Sequence, residues 1–181
     1  MKTFEKGQVV ISSIVGLMRF IGLKEIDEKK FFAFEPLYHN YTKIVIMIPQ
    51  GVPKSIEIRS PIDSKTAKQI LKKIETKILA QELELKKVPG FRKVAAYDKI
   101  IFSFDINKLA GLVVYFYCSQ QKNCSKQLSS TAQEYYNKAR KLLIRELAYS
   151  LGQSEEKIDQ RLQKILEEHH LLKKKVVKKK S

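Results

Sequence analysis

Two groups of cations carry the side-chain types and the spacing that recognition chemistry needs. Lys138, Lys141 and Arg145 follow one another at three- and four-residue steps, which sets them on one side of a helix. The apolar Tyr136, Ala139, Leu143 and Leu147 fall on the opposite side. Arg92, Lys93 and Lys99 form the second group, and Phe91 stands directly before it. Such cations suit phosphate oxygens. A ring set among them suits a minor-groove wedge, in which the cations hold the backbone while the ring props a base step open. Pro89-Gly90 stops a preceding helix and sets Phe91 on a turn. The competing readings are that each charge run is a solvated helix face and that Phe91 folds inward as core.

No pattern of catalysis stands beside these cations. There is no Gly-rich phosphate loop, no Gly-x-Ser-x-Gly and no His-Glu-x-x-His. His39 sits in a turn beside Asn40, and His169 and His170 read as cations at a helix C-terminus. Cys118 and Cys124 have no second pair and no nearby His, so no zinc site is expected. Cys118 reads as a small apolar helix residue and Cys124 as a loop thiol. The expectation is a protein that is not an enzyme and takes no metal, cofactor or small-molecule substrate.

The charge balance agrees with a polyanion partner. Lys and Arg number 35 against 19 acids, a formal charge of +16 and a pI near 9.7. The surplus is uneven: residues 1–60 hold 9 basic and 6 acidic side chains, residues 61–181 hold 26 and 13. Nucleic acid is the first expectation and an anionic membrane surface the second. With 181 residues, 44% of them hydrophobic, the chain can bury a core as one domain or two small ones. No apolar run approaches the roughly 18 residues that span a bilayer. Met1–Lys6 lacks the apolar stretch of a secretory signal, and two cysteines make no disulfide framework, so a cytoplasmic, soluble protein is expected.

The elements that must position these side chains divide the chain. Residues 8–11, 17–23, 30–34, 43–48 and 55–59 read as short strands, forming a small, mostly antiparallel sheet curled to hide its edges. After Pro61 the period turns helical. Asp63 or Ser64 caps a helix with Ala67, Ile70, Leu71, Ile74 and Ile78 on one face and Lys65, Lys68, Lys72 and Lys73 off it. A short helix over about 92–102 follows. Asp105 then caps an almost wholly apolar helix, Ser129 or Ser130 (the latter with Gln133 as a capping box) the next, and Ser154 the last. The expected fold is α+β: a β module over 1–60, a compact helical bundle over 61–170, and a disordered Lys-rich tail over 171–181.

Several stretches also resemble the CarD-like family of bacterial transcription regulators. Leu128-Ser129 followed by Ala139-Arg140 and Glu146-Leu147 is similar to the family's C-terminal signature of Leu-Ser, Ala-Arg-x-Ile-Leu and Glu-Leu. Ser103-Phe104-Asp105 resembles its Ser-Gly-Asp helix start. Val45-Ile46-Met47-Ile48-Pro49 with Ile58-Arg59 resembles its strand before a Val-Gly-Leu-Arg, and Phe4-x-x-Gly7-x-Val9-Val10 its opening. The order is collinear from residue 4 to about 168. Three departures stand out. The family's Tyr-Pro-x-His-Gly-x-Gly turn is replaced over residues 11–17, its Gly in Ser-Gly-Asp is Phe104, and its usual Trp is missing, with Phe91 at about that place.

The resemblance implies a Tudor-like β module that docks on the β subunit of RNA polymerase. It implies a helical module that lies on double-stranded promoter DNA at the upstream edge of the bubble and prolongs the open complex. It also sets Lys24 and Met47 where members place polymerase-contacting side chains; read alone, they are a solvated turn charge and a core or edge residue. The family reading expects phosphate contacts from Arg92, Lys93, Lys99, Lys138, Lys141 and Arg145, a wedge at Phe91, and a nucleoid-associated protein. The alternatives are a nucleoid- or RNA-associated protein that never meets polymerase and a protein held at a membrane surface by its Lys tail.

Overall fold

The computed structural model describes residues 3–12, 15–38, 44–51, 58–76, 83, 85–122 and 128–178. His39, Ile78 and Cys124 lie outside them, as do the side chains of His169 and His170. The chain divides into two compact units, Met1–Pro61 and Ile62–Ser181, and the fold is α+β.

The first unit is a five-stranded sheet of β1 (Val9–Ser12), β2 (Gly16–Ile26), β3 (Lys29–Pro36), β4 (Ile46–Pro49) and β5 (Ile58–Arg59). The strand order is β4-β3-β2-β1-β5, with every neighbouring pair antiparallel. Period-2 alternation buries Val10, Met18, Phe20, Phe34 and Ile48 together on one face. Phe4 covers that face, its ring 5.0 Å from Phe32 and 5.4 Å from Phe34, edge to face.

Two local features shape β2 and β3. Ile21 is an extra residue in β2, so the register passes from Phe20↔Phe34 to Gly22↔Ala33. Gly22 takes φ 144° there, a conformation that L side chains rarely adopt. The two-residue loop Asp27-Glu28 closes the hairpin between paired Ile26 and Lys29, and both loop residues have positive φ, 48° and 62°. That is the backbone of a turn best served by Asn-Gly, and a side chain with a Cβ costs about 1–2 kcal/mol in this region. Glu28→Gly is therefore expected to raise the free energy of unfolding by roughly 0.5–1 kcal/mol, and the midpoint with it, after the entropy that glycine loses on folding. Chemical denaturation measures this, and a lower midpoint would contradict the strain.

The second unit is helical. Asp63 starts α1 (Ser64–Thr76) by accepting the Thr66 N–H at 2.7 Å. Hydrogen bonding from the Thr66 side chain, and then from its backbone N–H, holds the Asp63 carboxyl below its ordinary value. Ala67, Ile70, Leu71 and Ile74 are buried beneath α1. Single 3-10 turns at Leu85–Lys87 and Gly90–Arg92 lead into α2 (Lys93–Phe102). Asp105 caps α3 (Ile106–Lys122), accepting the N–H groups of Asn107 and Lys108. Ala110, Leu112, Val113, Val114 and Phe116 are buried around α3, and it packs against each of the four other described helices. A helix apolar on nearly every side can stand only there.

Ser129 begins α4 (Ser130–Leu151) by accepting the Ala132 N–H at 3.3 Å. The Ser130–Gln133 capping box does not form, because the Gln133 amide is engaged between Gln120 and Asn137. Gly152 ends α4 in the left-handed conformation at φ 60°. Ser154 caps α5 (Glu155–Lys178). Within α4, buried Glu146 accepts the Ile62 N–H at 3.1 Å and so ties the chain entering α1 to the bundle.

The backbone is helical through Lys178, where a disordered tail is expected from residue 171. Lys is a good helix former, and cations at a helix C-terminus meet the negative end of its dipole, which offsets their mutual repulsion. Among the described residues no helix is long and apolar enough to cross a membrane.

Candidate nucleic-acid interface

The residues before α2 decide what Phe91 can do. Pro89, at φ −56° and ψ 146°, opens the 3-10 turn Gly90–Arg92, and α2 continues from it. This turn leaves the Phe91 ring 82% exposed. The inward reading of Phe91 is thereby excluded. The ring meets a cation: the Arg92 guanidinium carbon lies 5.3 Å from its centroid.

Along α2, Tyr97, Ile100 and Ile101 are buried, while Val94, Ala95, Lys99 and Phe102 are exposed and Lys93 is half-buried. Phe102 is 46% exposed and lies eleven residues from Phe91, about three helical turns, so the two rings share a side of this segment. That spacing was present in the sequence, but nothing there told an exposed Phe102 from a buried one. Lys138 of α4 sets its ammonium 5.3 Å from the Phe102 centroid. Lys138 thereby joins α4 to the exposed side of α2 at Phe102.

The one acid of α2 is engaged by the neighbouring helix. Asp98 accepts the Tyr135 O–H at 2.7 Å. The same bond holds the Tyr135 phenol above its ordinary value, so it stays a neutral donor through the physiological range.

Among the predicted phosphate ligands, Arg92, Lys99, Lys138 and Lys141 are exposed. Arg145 is different. Its side chain is only 15% exposed, and its Nε donates to Glu155 Oε2 at 3.4 Å across the Gly152 turn. Placing Arg145 on a free cationic face is corrected accordingly: the close approach of α5 turns it into a link between α4 and α5. Replacing Lys141 by Gln is expected to flatten the slope of log K against log salt for duplex DNA by roughly 0.9. Arg145→Gln should leave that slope unchanged and instead cost about 1–2 kcal/mol of stability. Equal slopes for the two variants would refute the distinction.

In the β unit, the extra residue Ile21 decides where Lys24 points. Unbroken alternation from Phe20 would turn Lys24 toward the apolar face. With the bulge, Leu23 pairs with Phe32 on that face and Lys24 pairs with Phe31 on the other. Met47, opposite Ala33 on the edge strand β4, lies on the Lys24 side and is 41% exposed. The sheet thus sets Lys24 and Met47 on the same face, two strands apart, with both side chains exposed.

The family described as CarD, C-terminal domain, matches residues 76–163, which hold α2, α3, α4 and the first turns of α5. No curated protein matches the chain.

Proposed function

The chain belongs to the CarD-like family of transcription regulators by its helical unit, and from that premise we propose that it acts on promoter complexes as a non-enzymatic accessory factor. In this reading the β unit docks on the β subunit of bacterial RNA polymerase, and the helical unit lies on double-stranded promoter DNA and lengthens the life of the open complex. The site of action is the cytoplasm, at the nucleoid. The observation that carries the reading is the exposed Phe91 ring, set on a turn after Pro89-Gly90 and flanked by the Arg92 guanidinium.

The division of labour follows from the side chains. Arg92, Lys93, Lys99, Lys138 and Lys141 supply charge to phosphates, which positions the unit without reading sequence. Phe91 inserts at a base step. Unstacking costs about a few kcal/mol per step, which contact between the ring and the exposed base partly offsets. A phenyl ring has no N–H donor, so it makes no hydrogen bond to a base edge, and base specificity stays low. On the β unit, the face bearing Lys24 and Met47 supplies a cation beside apolar surface, and β4 offers a strand edge to a partner strand.

The test is retention of purified polymerase by the full-length chain. Binding through the β subunit is expected, and Lys24→Glu should weaken it about tenfold or more, since a like-charge contact at an interface costs several kcal/mol. A chain that binds duplex DNA in a salt-dependent way but never retains polymerase would remove the polymerase assignment and leave a nucleoid-associated protein.

A further inference from the structure

We propose that α1 carries a second DNA-binding face, in which Lys65, Lys68 and Lys72 track the phosphate backbone of duplex DNA. This rests on the reading of the helical unit as DNA-binding and extends it to a helix that the family match leaves out, since the match begins at residue 76 and α1 is Ser64–Thr76.

The three lysines follow at three- and four-residue steps and fall within about 60° of arc over about 10 Å of helix axis. All three are exposed, and burial of Ala67, Ile70, Leu71 and Ile74 fixes the rotation of α1, so the stripe cannot turn inward. No acid stands between Ser64 and Ile74. Lys68 and Lys72 have no polar partner among the described residues, and Lys65 has only the nearby charge of Asp63, whose carboxylate is engaged by Thr66.

Several cations of the unit are spent within it. Arg140 pairs with Asp159 at 2.9 Å, Arg145 with Glu155, Lys108 with Asp105 at 3.8 Å, and Lys73 donates to Asn107 at 2.9 Å. On α5, Lys157, Arg161 and Lys164 are interspersed with Glu155, Glu156, Asp159, Glu167 and Glu168. Among the helix faces whose side chains are described, α1 carries a run of positive charge with no acid interspersed.

Charge complementarity names the partner. A duplex presents one negative charge per about 1.7 Å of its axis, so a stripe of about 10 Å faces roughly six phosphates. Lysines are point charges on flexible stems, suited to following a backbone rather than forking onto a base. The exposed side of α1 has no aromatic residue on which unpaired bases could stack, which favours duplex over single strands.

The experiment measures binding of the full-length chain to a linear duplex across a salt series. Lys65, Lys68 and Lys72 are replaced together by Gln, and in a second variant by Arg. The Gln variant should flatten the slope of log K against log salt by roughly 2–3, and the Arg variant should keep the wild-type slope. A Lys99→Gln/Lys141→Gln variant is measured beside them. If its slope falls while that of the α1 Gln variant does not, the α1 proposal is overturned and the DNA reading stands. If neither slope falls, both are overturned. Loss of binding to phosphatidylserine vesicles with the DNA slope intact would assign the stripe to a membrane surface and overturn the proposal.

Discussion

Phe91→Ala is expected to shorten the lifetime of promoter open complexes about tenfold and to leave the melting temperature within about 2 °C of wild type. The two halves of this result have separate causes. The ring is 82% exposed in the free protein, so its removal opens no cavity. The contact with Arg92 is exposed and worth about 0.5–1 kcal/mol at most. A ring stacked on a base contributes about 1–3 kcal/mol, and the lower part of that range corresponds to a factor of ten. Lifetimes are read from the decay of open complexes after a polyanion competitor is added. Phe91→Trp should lengthen them beyond wild type, because an indole covers more of a base and adds an N–H donor. A Phe91→Ala protein that melts normally and holds open complexes as long as wild type would end the wedge assignment.

The second large effect is on stability. Phe116→Ala is expected to cost about 3–5 kcal/mol, enough to unfold much of the helical unit at physiological temperature. Phe116 is 1% exposed and stands at the centre of a ring cluster, 4.9 Å from Tyr97, 5.6 Å from Tyr115 and 6.0 Å from Tyr136. These rings come from α2, α3 and α4, so the cavity would loosen the seat of the helix that bears the cations.

Tyr97 gives an internal probe of that loosening. Burial pushes its phenol up to about 12. A raised value favours the neutral form in the fold. Its contribution is therefore fully present below pH 10 and is lost as the pH rises toward 12. In Phe116→Ala the Tyr97 titration, followed by phenolate absorbance, should move back toward 10. A variant that melts within about 1 kcal/mol of wild type and titrates unchanged would show that the cluster collapses without cost.

Much of the fold was legible in the sequence because burial imposes a period. Ala67, Ile70, Leu71 and Ile74 announce one face of α1, and Ile158, Leu162 and Ile165 one face of α5; all seven are buried. Gly152 marks a helix end because a left-handed residue is needed there. The departure at Phe104 is informative too. The family's Gly position has φ 57° here, which explains why glycine suits it and why an aromatic residue there carries backbone strain.

The candidate site was less legible, for a physical reason. A helical period sorts residues into sides but does not say which sides another element will cover. Arg145 shares its side with Lys138 and Lys141, yet it meets Glu155, ten residues on, because the Gly152 turn folds α5 back along α4. The contact of Lys138 with Phe102 depends likewise on how α2 seats against α4. The placement of Lys24 depends on one bulged residue, Ile21, whose type does not distinguish it from its neighbours in the strand.

The shortness of α2 has a consequence for when the cationic surface exists at all. A helix of ten residues is far below the length at which a helix is stable alone in water. Its order is borrowed from the bundle through Tyr97, Ile100 and Ile101, through the Asp98 bond to Tyr135, and through Phe102 under Lys138. Local unfolding of the helical unit should therefore begin at α2 and scatter Arg92, Lys93 and Lys99 while the rest of the bundle stays folded. A bound duplex, by holding these cations in register, closes that opening route and protects the amides of a helix it touches only from outside.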